Sequence, residues 1–134
     1  MKSLNIVLLG LLLCVSGWTH ASSKEEAPQV IYYNLVPSLI GNLTDPGVRL
    51  KFFKADVSLR YTGSEADAKV KQHEALIRHQ LVLLFSAQSS QSINAPDGRE
   101  GLRSEALKQV QQALTAEEGQ PLVEDLLFNN LIIQ

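Results

Sequence analysis

Between residues 53 and 61 the apolar and polar side chains alternate without a miss. Phe53, Ala55, Val57, Leu59 and Tyr61 share one phase and Lys54, Asp56, Ser58 and Arg60 the other. A period of two predicts a strand with one face on a core and the other in water. Leu50 and Phe52 fall in the opposite phase, which either a bulge near Phe52 and Phe53 or a simple kink between two strands would reconcile. Upstream, Val30 to Val36 reads VIYYNLV, rich in β-branched and aromatic residues, and halts at Pro37, which cannot donate to a sheet ladder. It is expected to be a first strand, joined to the second through the turn signal Asp45-Pro46-Gly47.

After Gly63 the period changes. Ser64, with Asp67 three residues on, approximates a capping box and opens a helix expected to run to about Phe85, with Val70, Ile77, Leu81 and Leu84 in one narrow stripe. Its last turn, Leu81 to Phe85, is apolar all round, so it must be covered on more than one side. Burial inside the monomer is the simpler solution. The alternative is a neighbouring subunit, which makes Leu81, Val82, Leu83 and Phe85 the candidate oligomer or partner surface.

Residues 86–95, SAQSSQSINA, read as a polar loop with one apolar anchor, Ile93, either simply solvated or binding a partner. Pro96, at a favoured first position, and Asp97, on the positive end of the dipole, open a second helix expected to end near Leu114. Its apolar sector is Leu102, Ala106, Val110, Ala113 and Leu114. Arg103 falls inside that sector, where a snorkelling stem is favoured over a buried ion pair with one carboxylate. Glu117-Glu118-Gly119-Gln120-Pro121 breaks the helix, and residues 122–134 return to strand character. Leu126, Phe128 and Ile132 would occupy one face and Leu127, Leu131 and Ile133 the other, as in an internal strand covered on both sides, with a bulge at Asn129 and Asn130. The order β-β-α-α-β gives an α+β fold, a small sheet of about three strands with two helices packed on it.

The N-terminus alters where this domain is expected to work. Lys2 precedes a continuous apolar run from Leu4 to Val15, too short for a hydrocarbon core that needs about 20 residues but suited to a signal peptide. Thr19-His20-Ala21 offers small residues for cleavage, so residues 1–21 are expected to be a signal peptide, 22–29 a linker and 30–134 a periplasmic domain. The alternative is an uncleaved inner-membrane anchor, extended by Trp18 and facing the periplasm. Cys14 is the single cysteine, so cleavage leaves none and stability must come from packing.

With 45% apolar and 19% charged residues the chain suits one compact domain, and a net charge of -2 without a basic cluster gives no footprint for nucleic acid. His73 and His79 lie about 120° apart around a helix, so they share no face for a metal. The serines at 86, 89, 90 and 92 lack an activating turn. No catalytic, metal or cofactor site is expected.

Several of these segments together resemble one family. Ile31 to Pro37 with Asn42-Leu43 looks like the opening strand of the flagellar basal body-associated FliL family, and Leu50-Lys51 through Ala55 to Arg60 looks like its long strand. Ile77 to Ser86 resembles its leucine-rich helix end, Ala95 to Arg103 the opening of its second helix, and Val123 to Gln134, ending LLFNNLIIQ, its closing strand. The resemblance implies a periplasmic domain similar to the stomatin/prohibitin-like fold, a ring-like homo-oligomer, no enzymatic activity, and association with the flagellar stator proteins MotA and MotB. Typical members keep a membrane-spanning helix, so a cleavable leader would make this chain a soluble paralogue. A soluble periplasmic adaptor or surface-sensing protein not acting on the motor is the alternative function.

Overall fold

In the computed structural model, which describes residues 27–134, three strands come first: β1 (Val30–Asn34), β2 (Leu39–Asn42) and β3 (Phe52–Thr62). Helices α1 (Ser64–Gln72), α2 (Glu74–Ser86), α3 (Ser90–Asn94) and α4 (Gly98–Glu118) follow, and strand β4 (Asp125–Ile133) closes the chain. The signal peptide expected at residues 1–21 lies outside the described residues.

The strictly alternating run, β3, is the centre of a four-stranded antiparallel sheet. β1 pairs with its second half, from Val30 opposite Thr62 to Asn34 opposite Ser58, and β2 with its first half, from Leu39 opposite Ala55 to Asn42 opposite Phe52. β4 lies along the other side. The sequence pattern predicts about three strands; the fourth, β2, is β1 resumed after an interruption. Leu35 still donates to the Val57 carbonyl at 2.9 Å, and Leu39 is the next residue in register. Residues 35–38 therefore stand opposite Asp56 and Val57 alone, and the excess chain turns through the cis Val36-Pro37 peptide.

Alternation decides what enters the core. Phe53, Ala55, Val57, Leu59 and Tyr61 are all buried, against Val70 of α1, Ile77, Leu81 and Phe85 of α2, and Leu102, Ala106, Val110 and Leu114 of α4. Phe85 joins the layers: its ring meets Phe53 edge-on at 5.5 Å and Phe128 at 5.6 Å between centroids, a preferred aromatic geometry. The register of β3 with both neighbours is regular at Phe53, so neither the bulge near Phe52 and Phe53 nor the alternative kink is present. Phe52 simply continues the outward phase and is exposed, as is Leu50 in the preceding loop.

The bulge expected in the last strand is present. The register of β3 with β4 slips between Asp56 and Val57, leaving Asn129 unpaired. Because a bulge reverses the phase of the residues beyond it, Leu126, Phe128, Leu131 and Ile133 share the inward phase while Leu127 and Ile132 share the outward one. This corrects the expectation of an internal strand covered on both sides. β4 pairs only with β3, and α4 protects its free edge. Arg99 donates to the Leu131 carbonyl at 2.8 Å, Arg103 to that of Leu126 at 3.2 Å and Gln111 to that of Val123 at 2.9 Å. Occupied carbonyls leave a foreign strand less to pair with.

The helical region is more divided than its periodicity predicts. The helix expected from Ser64 to Phe85 bends at His73 (φ −98°, ψ 15°), although the bonds from His73 to Lys69 and from Ile77 to His73 persist at 3.0 Å. Within the expected loop at 86–95, Ser89 and Ser92 cap each other reciprocally and open α3, which buries Ile93. α4 begins at Gly98, after Asp97 in a left-handed conformation, so Pro96 lies outside the helix rather than at its first position. Gly98 is required there, since a Cβ would come within 2.2 Å of the Ser92 carbonyl oxygen. α4 continues past Leu114 to Glu118 and stops at Gly119, φ 75°, a common left-handed terminator.

Candidate functional site

All the core-forming helix residues lie on one side of the sheet, and the other side carries the outward residues of each strand. Its successive rows across β1 or β2, β3 and β4 follow from the register. Tyr32, Arg60 and Asp125 form one, Asn34, Ser58 and Leu127 the next, and Ile40, Lys54 and Ile132 a third, with Asn42 and Phe52 beyond. Tyr32 is 59% exposed, Ile40 62% and Phe52 41%. Apolar side chains thus stand in solvent on a regular surface, the arrangement expected of an interaction face.

A polar cluster interrupts this face at the Asn129 bulge. Ser58, buried, donates to Asn34 Oδ1 at 2.5 Å and accepts from Asn129 Nδ2 at 2.5 Å, while Ser38 bonds Asp56 beside it. The unpaired residue of the bulge thus adds a donor to a buried hydroxyl that already gives its own proton to Asn34.

The structure separates the four residues singled out as a partner surface. Leu81 and Phe85 are in the core, Val82 is partly buried against it, and Leu83 is 54% exposed. The fully apolar turn is covered within the monomer because α4 and the Phe53–Phe85–Phe128 stack take its two sides. Only Leu83, with the edge of Val82, remains at the surface. The open sheet face is the broader candidate; in the sequence, of Phe52, Leu127 and Ile132 only Phe52 stood out of the core phase, because counting straight through the last strand puts Leu127 and Ile132 on opposite faces.

The ionisable groups form structural ties. Tyr33 donates to Glu74 at 2.5 Å, which raises its pKa, and Tyr61 donates to Asp67 at 2.8 Å. Burial and then that bond push the Tyr61 hydroxyl well above its ordinary value. Glu118 at the end of α4 accepts from His73 at 2.8 Å and pairs with Lys69 at 3.3 Å, and both hold its carboxyl below its ordinary value. His73 therefore ties the bend to α4, whereas His79 is exposed. Arg103 forms the ion pair rather than the favoured snorkel: Asp125 lies 2.7 Å away, half-buried with it, and Glu100 2.5 Å away on the exposed side. Among the described residues no group of three or more His, Cys, Asp or Glu is placed to hold a metal. None of their helices is long and apolar enough to cross a membrane.

Comparison with known proteins turns this uncovered face into a question about one system. Residues 32–134 match the family described as flagellar basal body-associated protein FliL. The chain belongs to the FliL family. The match runs from β1 through the end of β4, so the whole helical layer and nearly the whole sheet are the FliL unit. The flagellar protein FliL of Aquifex aeolicus (strain VF5) is 31% identical over 112 residues, covering 83% of this chain and 66% of that protein. The chain thus spans just under two thirds of that relative's length. FliL proteins are flagellar components and not enzymes.

Proposed function

We propose that this FliL-family domain works in the periplasm as a non-enzymatic part of the flagellar motor, assembling with itself into a ring and associating with the stator proteins MotA and MotB to support motility. The observation that carries the proposal is the family match over residues 32–134, a segment that folds with one sheet face, Tyr32, Ile40 and Phe52 included, uncovered. A stomatin/prohibitin-like arrangement is part of the same proposal, as is export by a leader ending at Ala21. Leu83 and Val82 are assigned to the neighbour-facing surface, beside the open sheet face.

The test is site-directed photocrosslinking in cells from positions 40, 52 and 83. Adducts with a second copy and with MotB are expected; a chain that crosslinks to neither is a soluble periplasmic adaptor or surface-sensing protein not acting on the motor. Intact-mass measurement of the envelope form should give a chain beginning at Ser22. Retention of Met1 would replace export with inner-membrane anchoring.

A further inference from the structure

β2 and β3 form a hairpin whose tip is residues 43–51, closed by the bond from Leu43 to the Lys51 carbonyl at 2.8 Å. At its apex Val48 is fully exposed, and Leu50 and Phe52 beyond it are 72% and 41% exposed. The fold gains nothing from Val48 or Leu50, which join no core cluster.

Three cations, Arg49, Lys51 and Lys54, alternate with these apolar residues, and residues 46–55 contain no carboxylate. The nearby acid, Asp45, is turned inward: it accepts from the Ser90 amide at 2.7 Å and from the Ser90 hydroxyl, which lower its pKa, and it pairs with Lys51 at 3.6 Å. At the far end of β3 the charges are matched in pairs, Glu118 with Lys69 at 3.3 Å and Glu124 with Arg60 at 3.6 Å. The tip thus carries exposed apolar residues and cations together, with its neighbouring acid turned inward.

From this geometry we infer that the 43–51 hairpin tip docks on a phospholipid surface bearing anionic headgroups, with Val48 and Leu50 entering the headgroup boundary and Arg49 and Lys54 facing the lipid phosphates. Exposed aliphatics interleaved with lysine and arginine are what such an interface selects, because apolar burial and attraction to anionic lipid act together. The tip is held at its base by the Thr44 amide on the Gln88 carbonyl and by Asp45 on the Ser90 amide, so Val48 and Leu50 project from a fixed support. The chain before Val30 leaves from the Thr62 end, so the tip faces a surface about 30 Å or more from that point, at about 3.3 Å per strand residue. This inference goes beyond the motor assignment and does not depend on it.

An environment-sensitive fluorophore on Val48→Cys, in the full chain carrying Cys14→Ser, reads the tip directly. A blue shift is expected with phosphatidylglycerol vesicles and not with phosphatidylcholine vesicles, weakened by salt and by Arg49→Gln with Lys54→Gln. Leu50→Asp should lower the apparent lipid affinity roughly tenfold or more while leaving the thermal melt unchanged, and the same fluorophore on Glu105→Cys should not shift. No shift at millimolar anionic lipid overturns the inference, as does a shift produced by envelope proteins but not by vesicles, which would place a protein at the tip.

Discussion

Replacing Phe85 by alanine removes the ring that links the sheet to α2. Phe85 is 1% exposed and meets Phe53 and Phe128 edge-on at 5.5 and 5.6 Å, so truncation forfeits its apolar burial and both aromatic contacts and leaves a cavity between layers. Core truncations of this kind cost about 3–5 kcal/mol. In a domain of this size each kcal/mol is worth about 4 °C, so the melting midpoint should fall by about 12–20 °C, a large share of a total stability of about 5–15 kcal/mol. Leu83→Ala, two residues earlier and 54% exposed, is the matched control and should change stability by no more than about 0.5 kcal/mol. Urea titrations and calorimetric scans of the two variants read the difference. If Phe85→Ala melts with the parent while losing assembly, the residue belongs to a subunit interface and the assignment of this turn to the monomer core is refuted.

The bulge at Asn129 predicts that Leu126→Asp abolishes folding, by burying an unpaired carboxylate at a cost of several kcal/mol, whereas Leu127→Asp, on the open face, costs no more than about 1 kcal/mol by denaturant titration; equal effects would erase the register shift. Asp45, Asp67 and Glu118 have lowered pKa values in the fold, so the stability they add is present above their ordinary values of 3.8 and 4.5 and is lost as pH falls through the folded values. Tyr61 is raised above 10.0, so its contribution is present below that pH and lost as pH rises through the folded value; Glu118→Gln should flatten the acid limb of a stability profile and Tyr61→Phe the alkaline limb. Arg99→Ala with Arg103→Ala uncovers two carbonyls on the β4 edge, so self-association measured by light scattering should rise, and an unchanged signal would show that the edge needs no such guard.

Long periodic segments carried the fold's outline in the sequence, and local irregularities did not. The alternation from Phe53 to Tyr61 fixed both the strand and its buried face, and the stripe from Val70 to Leu84 fixed the helix face laid against it. β2 was hidden because LIGN is four residues long and follows a proline that ended the first strand's pattern, while its pairing depends on β3 alone. α3 was hidden because serine signals a loop as readily as a cap; the Ser89 and Ser92 pair becomes a cap only once Ile93 is drawn into the core. The phase of β4 could not be read without placing the unpaired residue at Asn129 rather than counting straight through. That slip also made the open face look covered. Leu81 and Phe85 stood out for a separate reason, a helical turn apolar all round, and its surroundings are supplied by α4 and by the aromatic stack.

Where the protein sits in the cell tests the account most directly. A fluorescently tagged copy in motile cells, imaged together with a labelled basal-body component, is predicted to form foci at the flagellar base that weaken when MotA and MotB are deleted, and loss of the gene is predicted to reduce swimming. A uniform envelope signal that ignores the basal bodies, with swimming unchanged in the deletion strain, would contradict a place at the motor.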